Sequence, residues 1–264
     1  MLKFIFYDII FKSPYSDYLP QKNMKERLDK ELHKRGLSKS RTHSQALIEN
    51  GDVLMNGKII LKANTDVLPT DTLTLLKTSP FVSRGGEKLE HAIKTWNISL
   101  KDSVILDVGS STGGFTDCSL KSGARHVYAI DVGTDQFDSE LKKNPHITLF
   151  EKTDIRTVSS LPEPIDIAVI DVSFISLSHV IPTVVSLLKP HGTIIALIKP
   201  QFEIGPHIHK TKGIVKNEDL HIKVVTEVTS TFEKNGCEVL GVIESPILGG
   251  KGNKEFLLLS KKTL

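Results

Sequence analysis

The segment Val104-Ile-Leu-Asp107-Val-Gly109-Ser-Ser-Thr-Gly113-Gly114-Phe115 decides the fold. Its apolar run passes through a glycine-rich turn into a stretch with helical spacing, which predicts a strand, a tight loop and a helix. Glycines allow such a loop to turn sharply and to approach a ligand closely. The N-terminus of the following helix adds hydrogen-bond donors and positive potential. The segment therefore predicts an α/β domain with a ligand site at its first strand-to-helix loop.

Strands and helices alternate along the rest of this region. Helical stretches are predicted at 84–96, 114–122, 176–188 and 218–234, between most of the strands. Such alternation is typical of a doubly wound, mainly parallel sheet. Seven strand candidates supply that sheet, namely residues 104–108, 126–131, 147–151, 165–172, 193–199, 238–244 and 256–260.

Residues 24–77 carry a different pattern, which predicts a small α+β domain. Leu28 and Leu32 lie one helical turn apart before Gly36, and a second helix begins near Ser38 or Ser40. Two apolar runs then flank Asn56-Gly57, the strongest short signal for a β-hairpin. A third strand is expected at 72–76. We predict a linker at 78–83 and the α/β domain at 84–264.

A basic cluster surrounds the start of the second helix. Helix N-termini and basic side chains bind phosphates without reading the base sequence, so the cluster predicts RNA binding. The formal net charge is only +3, so affinity for nucleic acid must come from such local patches. An ordinary solvated charged face is the alternative. The helical pair and hairpin resemble an S4-like RNA-binding domain, and the candidate contacts are Lys34, Arg35, Lys39 and Arg41.

The glycine loop does not have the G-x-G-x-x-G spacing of dinucleotide sites. It resembles the Asp-x-Gly-x-x-x-Gly-Gly first motif of class I, Rossmann-like methyltransferases, which implies S-adenosylmethionine as cofactor. Asp131 ends the second strand, about 20 residues further on, where a carboxylate accepts ribose hydroxyls. Asp154 occupies the place of an adenine contact, although a structural role stays open for both. The loop itself contributes Asp107, Gly109, Ser110, Ser111, Thr112, Gly113, Gly114 and Phe115.

Four polar residues are expected to converge at one edge of the sheet. Asp171 and Lys199 end the fourth and fifth strands, where open α/β sheets bind ligands. Lys88 lies on the preceding helix, and Glu255 precedes the final strand, which is antiparallel in methyltransferases. The set is similar to the Lys-Asp-Lys-Glu tetrad of FtsJ-type ribose 2′-O-methyltransferases.

The phrase Ser83-Arg-Gly-Gly-x-Lys88-Leu and the preceding RNA-binding module extend the likeness over nearly all of residues 24–264. Together they resemble the TlyA family, also called hemolysin A. This resemblance implies methylation of ribose 2′-hydroxyls in ribosomal RNA or ribosomal subunits, at cytidines of 16S and/or 23S rRNA.

The chemistry explains the residue types. A ribose hydroxyl is a weak nucleophile, and a neutral Lys199, favoured by burial or by Lys88, could accept its proton while Asp171 and Glu255 orient the amines. Base methylation fits less well: no Asn/Asp-Pro-Pro-aromatic sequence follows the fourth strand, and neither Cys118 nor Cys237 follows a proline.

The sequence gives weaker support to other classes of function. No run approaches the roughly 18 apolar residues of a membrane span. No export signal is readable, because Asp8 interrupts the apolar start, and residues 1–23 are expected to be a poorly ordered extension or a start artefact. No metal is expected, since His207 and His209 lack a third ligand. We expect a cytoplasmic enzyme, and keep a membrane-active hemolysin and a non-catalytic ribosome-assembly factor as alternatives.

Overall fold

A computed structural model of the chain describes residues 25–38, 40–49, 51–76, 80–204, 214–249 and 252–264. The predicted N-terminal extension, Lys39, His207 and His209 lie outside these residues. The N-terminal elements are β1 Glu26–Arg27, α1 Leu28–Lys34, α2 Arg41–Glu49, β2 Val53–Met55, β3 Lys58–Ile59, β4 Asp66–Val67 and β5 Leu73–Leu75.

The sheet domain begins with helix α3. Its elements are α3 Gly85–Trp96, β6 Val104–Val108, α4 Gly114–Lys121, β7 His126–Ile130, β8 Ile147–Phe150, β9 Ile165–Ile170, α5 Ile181–Leu187, β10 Leu188–Ile198, α6 Pro200–Glu203, α7 Glu218–Lys234, β11 Cys237–Glu244 and β12 Phe256–Lys262.

The N-terminal elements follow the local signals closely. Gly36 ends α1 at a φ of 72°, and the Ser40 hydroxyl caps α2 by accepting from His43 N at 3.1 Å. Asn56 and Gly57 both have positive φ, as the turn between β2 and β3 requires. Leu28 and other apolar side chains of α1, α2 and the strands form one buried cluster. The predicted helix pair and hairpin are confirmed.

The large sheet has seven strands in the order β11-β12-β10-β9-β6-β7-β8. β12 runs antiparallel to both of its neighbours, and the pairs from β10 to β8 are parallel. Strand β6 is buried along its whole length because separate apolar clusters cover the two faces of the sheet. The predicted doubly wound sheet is confirmed, and the carboxyl ends of β6, β7, β9 and β10 meet at one edge.

Two elements differ from the prediction by more than two residues. The helix expected over 176–188 is divided into a 3-10 turn at Leu177–His179 and the shorter α5. Pro182 lies in the first turn of α5, where a residue without a backbone N–H is tolerated, whereas it would disrupt a helix interior. Strand β10 begins at Leu188, earlier than predicted, with a register shift before Thr193.

An ion pair joins the N-terminal elements to the sheet domain. Arg84 Nε, at the start of α3, donates to Asp52 Oδ1 at 2.9 Å. Burial raises the pKa of Asp52 to about 6, although the Arg84 charge acts in the opposite direction. Ser40 Oγ also donates to the Asp135 carbonyl at 3.3 Å. Polar contacts from two separate loops therefore connect the two parts.

Asp52→Ala is expected to lower the free energy of unfolding by about 2 kcal/mol near neutral pH, because it leaves a largely buried guanidinium without its carboxylate. The loss should grow as the pH falls below about 6, because the raised pKa means that protonation of Asp52 stabilises folded wild type and the alanine variant lacks this group. Urea unfolding followed by circular dichroism measures both effects. Asp66→Ala, which removes the exposed partner of Lys25, is the matched control and should change little. Equal losses in the two variants would contradict a special role for the Asp52 pair.

Candidate active site

The glycine loop joins β6 to α4 through a strained turn. Gly109 and Gly113 have φ values of 84° and 95°, and Ser111 has a φ of 47°. A Cβ at Gly109 would lie 2.6 Å from the Asp171 carbonyl oxygen, and one at Gly113 would lie 2.7 Å from Leu141 Cδ1. The sequence predicted that these glycines admit a ligand. In the structure the close neighbours are protein atoms, so the glycines are needed for the packing of the loop itself.

Two buried polar atoms at this loop have no hydrogen-bond partner among the described residues. They are Asp107 Oδ1 and Ser110 Oγ, while Asp107 Oδ2 accepts from Thr116 Oγ1 at 2.6 Å. Burial raises the pKa of Asp107 to about 7, and the charges of Asp171 and Asp131 act in the same direction, whereas the Thr116 hydrogen bond lowers it. These atoms fit a ligand group that donates hydrogen bonds and carries positive charge.

Asp131 lies beside the glycine loop at the end of β7. Its carboxylate accepts from Ser111 N at 2.7 Å and from Gly133 N at 2.6 Å, which fixes its orientation. The adjacent Val132 side chain is 72% exposed. A fixed carboxylate next to an exposed apolar side chain suits a ribose with an attached base.

The remaining cofactor candidates have local contacts. Asp154 caps a 3-10 turn by accepting from Arg156 N at 2.9 Å, and it forms an ion pair with the Arg156 guanidinium at 2.6 Å. An adenine contact by Asp154 stays a prediction beside this structural role. Thr112 and Phe115 are buried, and Gly114 leaves no room for a Cβ against Ser83 Oγ.

The four residues of the predicted tetrad form two ion pairs. Lys88 Nζ lies 2.7 Å from Glu255 Oε2, and Lys199 Nζ lies 2.6 Å from Asp171 Oδ1. Adjacent strands β9 and β10 bring Asp171 and Lys199 together, and the antiparallel β12 brings Glu255 to the same edge. The structure therefore brings together four residues that are far apart in the sequence.

The charges in this cluster stabilise one another. Burial lowers the pKa of Lys88, but Asp171 and Glu255 outweigh it and leave the pKa above its ordinary value. Burial raises the pKa of Asp171, but Lys199 and Lys88 hold it below its ordinary value. Lys88 is therefore an ammonium and Asp171 a carboxylate at neutral pH. Asp171 interacts with both lysines, so the two ion pairs are coupled.

Sequence reasoning missed two side chains beside Lys199 and a third that packs against one of them. Lys199 Nζ donates to Ser173 Oγ at 2.8 Å and lies 5.9 Å from the centre of the Phe202 ring. Phe174, 83% exposed at a φ of 64°, has its ring centre 5.0 Å from that of Phe202. The sequence Asp171-Val-Ser-Phe174 at the end of β9 could have indicated this, because an aromatic residue directly after a strand end is not predicted to lie in the core. An exposed aromatic ring at this edge offers a stacking surface for a flat ligand.

The basic cluster divides into outward and inward residues. Lys34 is exposed, and Arg41 is half exposed while its Nε donates to the buried Asp29 at 2.9 Å. Burial would raise the pKa of Asp29, but hydrogen bonds from Arg27, Arg41 and Gln45 hold it well below its ordinary value.

Arg35 differs from these two residues. Its guanidinium donates to the Asp71 and Leu68 carbonyls and to Glu31, at 2.6, 3.2 and 2.8 Å. The predicted phosphate contact by Arg35 would have to compete with these internal hydrogen bonds. Among the described members of the cluster, Lys34 and Arg41 have the more exposed side chains, although they also pair with Glu31 and Asp29, respectively.

Comparisons with known proteins agree with this arrangement. The model of the FtsJ-like methyltransferase family matches residues 81–262, and the S4 domain model matches residues 26–73. A protein of Bacillus subtilis named putative rRNA methyltransferase YqxC is 40% identical over 89% of this chain and 85% of its own length.

Two further relatives match similar fractions of the chain. The 16S/23S rRNA (cytidine-2′-O)-methyltransferase TlyA of Mycobacterium tuberculosis is 37% identical, over 88% of each chain. The solved structure of a putative hemolysin from Streptococcus thermophilus has a TM-score of 0.71 and 38% identity, and covers 90% of this chain and 89% of its own. No helix in the described part of the chain is long and apolar enough to cross a membrane.

Proposed function

Because the chain belongs to the FtsJ-like methyltransferase family and carries an S4 domain, we propose that it methylates ribose 2′-hydroxyls of ribosomal RNA, at cytidines of 16S and/or 23S rRNA. The observation that carries the proposal is the pair of ion pairs formed by Lys88, Glu255, Lys199 and Asp171 at the carboxyl edge of the sheet. The named activity of the mycobacterial relative supports the choice of cytidine. We propose ribosomal subunits as its partners and the cytoplasm as the site of the reaction.

The cofactor of this family is S-adenosylmethionine, which supplies an electrophilic methyl group on a cationic sulfonium. Asp107 Oδ1 and Ser110 Oγ are the buried acceptors suited to its ammonium group. Asp131 is suited to the ribose hydroxyls and the exposed Val132 to the adenine face. These residues would hold the nucleoside and amino-acid ends of the cofactor at the first two strand ends.

Cofactor affinity is expected to rise from about pH 6 to about pH 8, because Asp107, whose pKa is raised to about 7, becomes ionised over this range and attracts an ammonium. The dissociation constant of S-adenosylhomocysteine, which carries the same ammonium, should fall about three- to ten-fold. Asp107→Asn should flatten this dependence. Isothermal titration calorimetry measures the dissociation constant at each pH. Asp166→Asn is the control, because Asp166 lies at the start of β9, away from the carboxyl edge of the sheet, and this variant should keep the pH dependence of wild type. Parallel pH curves for wild type and Asp107→Asn would contradict the assignment.

Lys199 accepts the proton of the attacking 2′-hydroxyl in this proposal. Its amine is oriented by the Asp171 carboxylate, 2.6 Å away, and by the hydrogen bond to Ser173, and it must release its own proton before it accepts one from the hydroxyl. Lys88 remains charged, so the cluster then carries one net negative charge, which complements a cationic sulfonium. Holding hydroxyl and methyl group in line contributes as much as the proton transfer itself.

The RNA is held at two places. The outward charges of Lys34 and Arg41 contact phosphates, which position the substrate without selecting a base. Phe174 stacks on a nucleobase of the splayed target strand, as exposed aromatic rings do in single-stranded RNA recognition. The ribose of that nucleotide then reaches Lys199.

The proposal is tested with methyl-labelled S-adenosylmethionine and unmodified 30S and 50S subunits. A 2′-O-methyl group blocks alkaline cleavage of its own phosphodiester, so label in an alkali-resistant dinucleotide supports ribose methylation. Label in a mononucleotide would indicate base methylation instead. Cofactor binding without labelling of either subunit or of free rRNA would favour a non-catalytic assembly factor.

A further inference from the structure

Glu255 is held by a residue outside the tetrad. Gln201, on the short helix α6, is 8% exposed, and its Nε2 donates to Glu255 Oε1 at 3.3 Å. The other carboxylate oxygen, Oε2, receives Lys88 Nζ at 2.7 Å. Because a carboxylate only accepts hydrogen bonds, the amide nitrogen of Gln201 must face Glu255. Each oxygen of Glu255 therefore has its own donor.

The backbone at Gly249 restricts the same carboxylate from another direction. A Cβ at this position would overlap Glu255 Oε1, so a side chain of any size would displace the carboxylate. Glu255 itself is 2% exposed. Its carboxylate therefore lies between Gly249, Gln201 and Lys88, and these three residues restrict its orientation.

Gln201 keeps its position at a cost in stability. Its Oε1 is buried and has no hydrogen-bond partner among the described residues. A buried acceptor without a partner destabilises the folded state, and an apolar side chain of similar size would avoid this cost. A half-satisfied buried amide calls for an explanation, and a role in holding Glu255 supplies one.

We infer that Gln201 is a positioning residue of the methyl-transfer site, acting through Glu255 on Lys88; this rests on the proposed function. Without the amide, Glu255 rotates away from the Lys88 ammonium, which then draws on Asp171, the other carboxylate that acts on it. Asp171 is also the partner of Lys199. Loss of Gln201 therefore disturbs the contact that orients Lys199.

Gln201→Leu is the test variant, because it removes the amide and keeps the volume. The kcat of RNA methylation should fall about ten-fold or more, the size expected for a lost hydrogen bond to a charged group, while the KM for S-adenosylmethionine stays within about two-fold. Glu203→Gln is the matched control on the same helix. Glu203 accepts from Ser176 Oγ and Leu177 N, away from Glu255, so its variant should keep kcat within about two-fold.

A double-mutant comparison separates positioning from general disruption. In a Glu255→Gln background, adding Gln201→Leu should change kcat by less than about two-fold, since residues that act through one another are not additive. A full further loss in that background would overturn the inference, as would wild-type kcat in Gln201→Leu alone.

A second readout does not depend on activity. The titration midpoint of Lys88, followed by NMR of ¹³Cε-labelled lysine, should fall in Gln201→Leu and stay unchanged in Glu203→Gln. An unchanged midpoint in both variants would overturn the positioning role, whereas failure of wild-type protein to methylate RNA would overturn the proposed function alone.

Discussion

Lys199→Ala is expected to lower the kcat of RNA methylation about 10³-fold, the usual contribution of a positioned general base. The proposed cofactor residues Asp107, Ser110 and Asp131 lie at other strand ends, so the affinity for S-adenosylhomocysteine should stay close to that of wild type. Single-turnover methylation of ribosomal subunits measures the first quantity and calorimetry the second. A large loss of cofactor affinity would indicate that the variant damages the site as a whole.

Lys199→Arg distinguishes proton transfer from simple charge pairing. A guanidinium keeps the positive charge beside Asp171, which lies 2.6 Å from Lys199 Nζ, but it cannot give up a proton near neutral pH. We therefore expect the arginine variant to be nearly as inactive as the alanine variant. Substantial activity with arginine would contradict the general-base role and leave only orientation and electrostatics to this residue.

Gly109→Ala is expected to destabilise the protein by about 4 kcal/mol or to prevent folding, because strain and a backbone clash add together. The new Cβ would lie 2.6 Å from the Asp171 carbonyl oxygen and 3.1 Å from Val172 Cα. Both are backbone atoms of the neighbouring strand end and cannot rotate away. Relief of the clash would move Asp171, so methylation should fall as well.

Gly36→Ala is the matched control for this effect. Gly36 also has a positive φ, 72°, but a Cβ there would meet nothing within 4 Å. Only the left-handed backbone penalty remains, which is about 1 kcal/mol. Urea unfolding of both variants measures the difference. Similar losses would show that the close approach of Gly109 to Asp171 contributes little.

The Asp52–Arg84 ion pair connects the N-terminal elements to the helix that carries Lys88. Arg84, which pairs with Asp52, is the N-cap of α3, and Lys88 lies one turn further along, so the helix that carries a tetrad residue begins at the contact with the N-terminal elements. The Asp52→Ala variant offers a direct way to weaken this connection.

Much of the fold could be read from neighbouring residues. Runs such as 104–108 and the turn signal at Asn56-Gly57 predict their elements because the hydrophobic period and the backbone preference are local properties. The tetrad could be proposed because the carboxyl ends of parallel strands share one edge, so that Asp171 and Lys199 needed only the correct strand assignment. Family resemblance then supplied Lys88 and Glu255.

Pairings between distant residues were decided by the tertiary structure alone. The Lys88–Glu255 contact joins positions 167 residues apart, and the sequence carries no sign that Gln201 holds the second oxygen of that carboxylate. Arg35 has the positive charge and the hydrogen-bond donors that bind phosphates, yet the fold places carbonyl oxygens around its guanidinium. Local patterns determine which element forms and where it ends, whereas the partner of each polar side chain depends on which distant elements the sheet order brings within hydrogen-bonding distance.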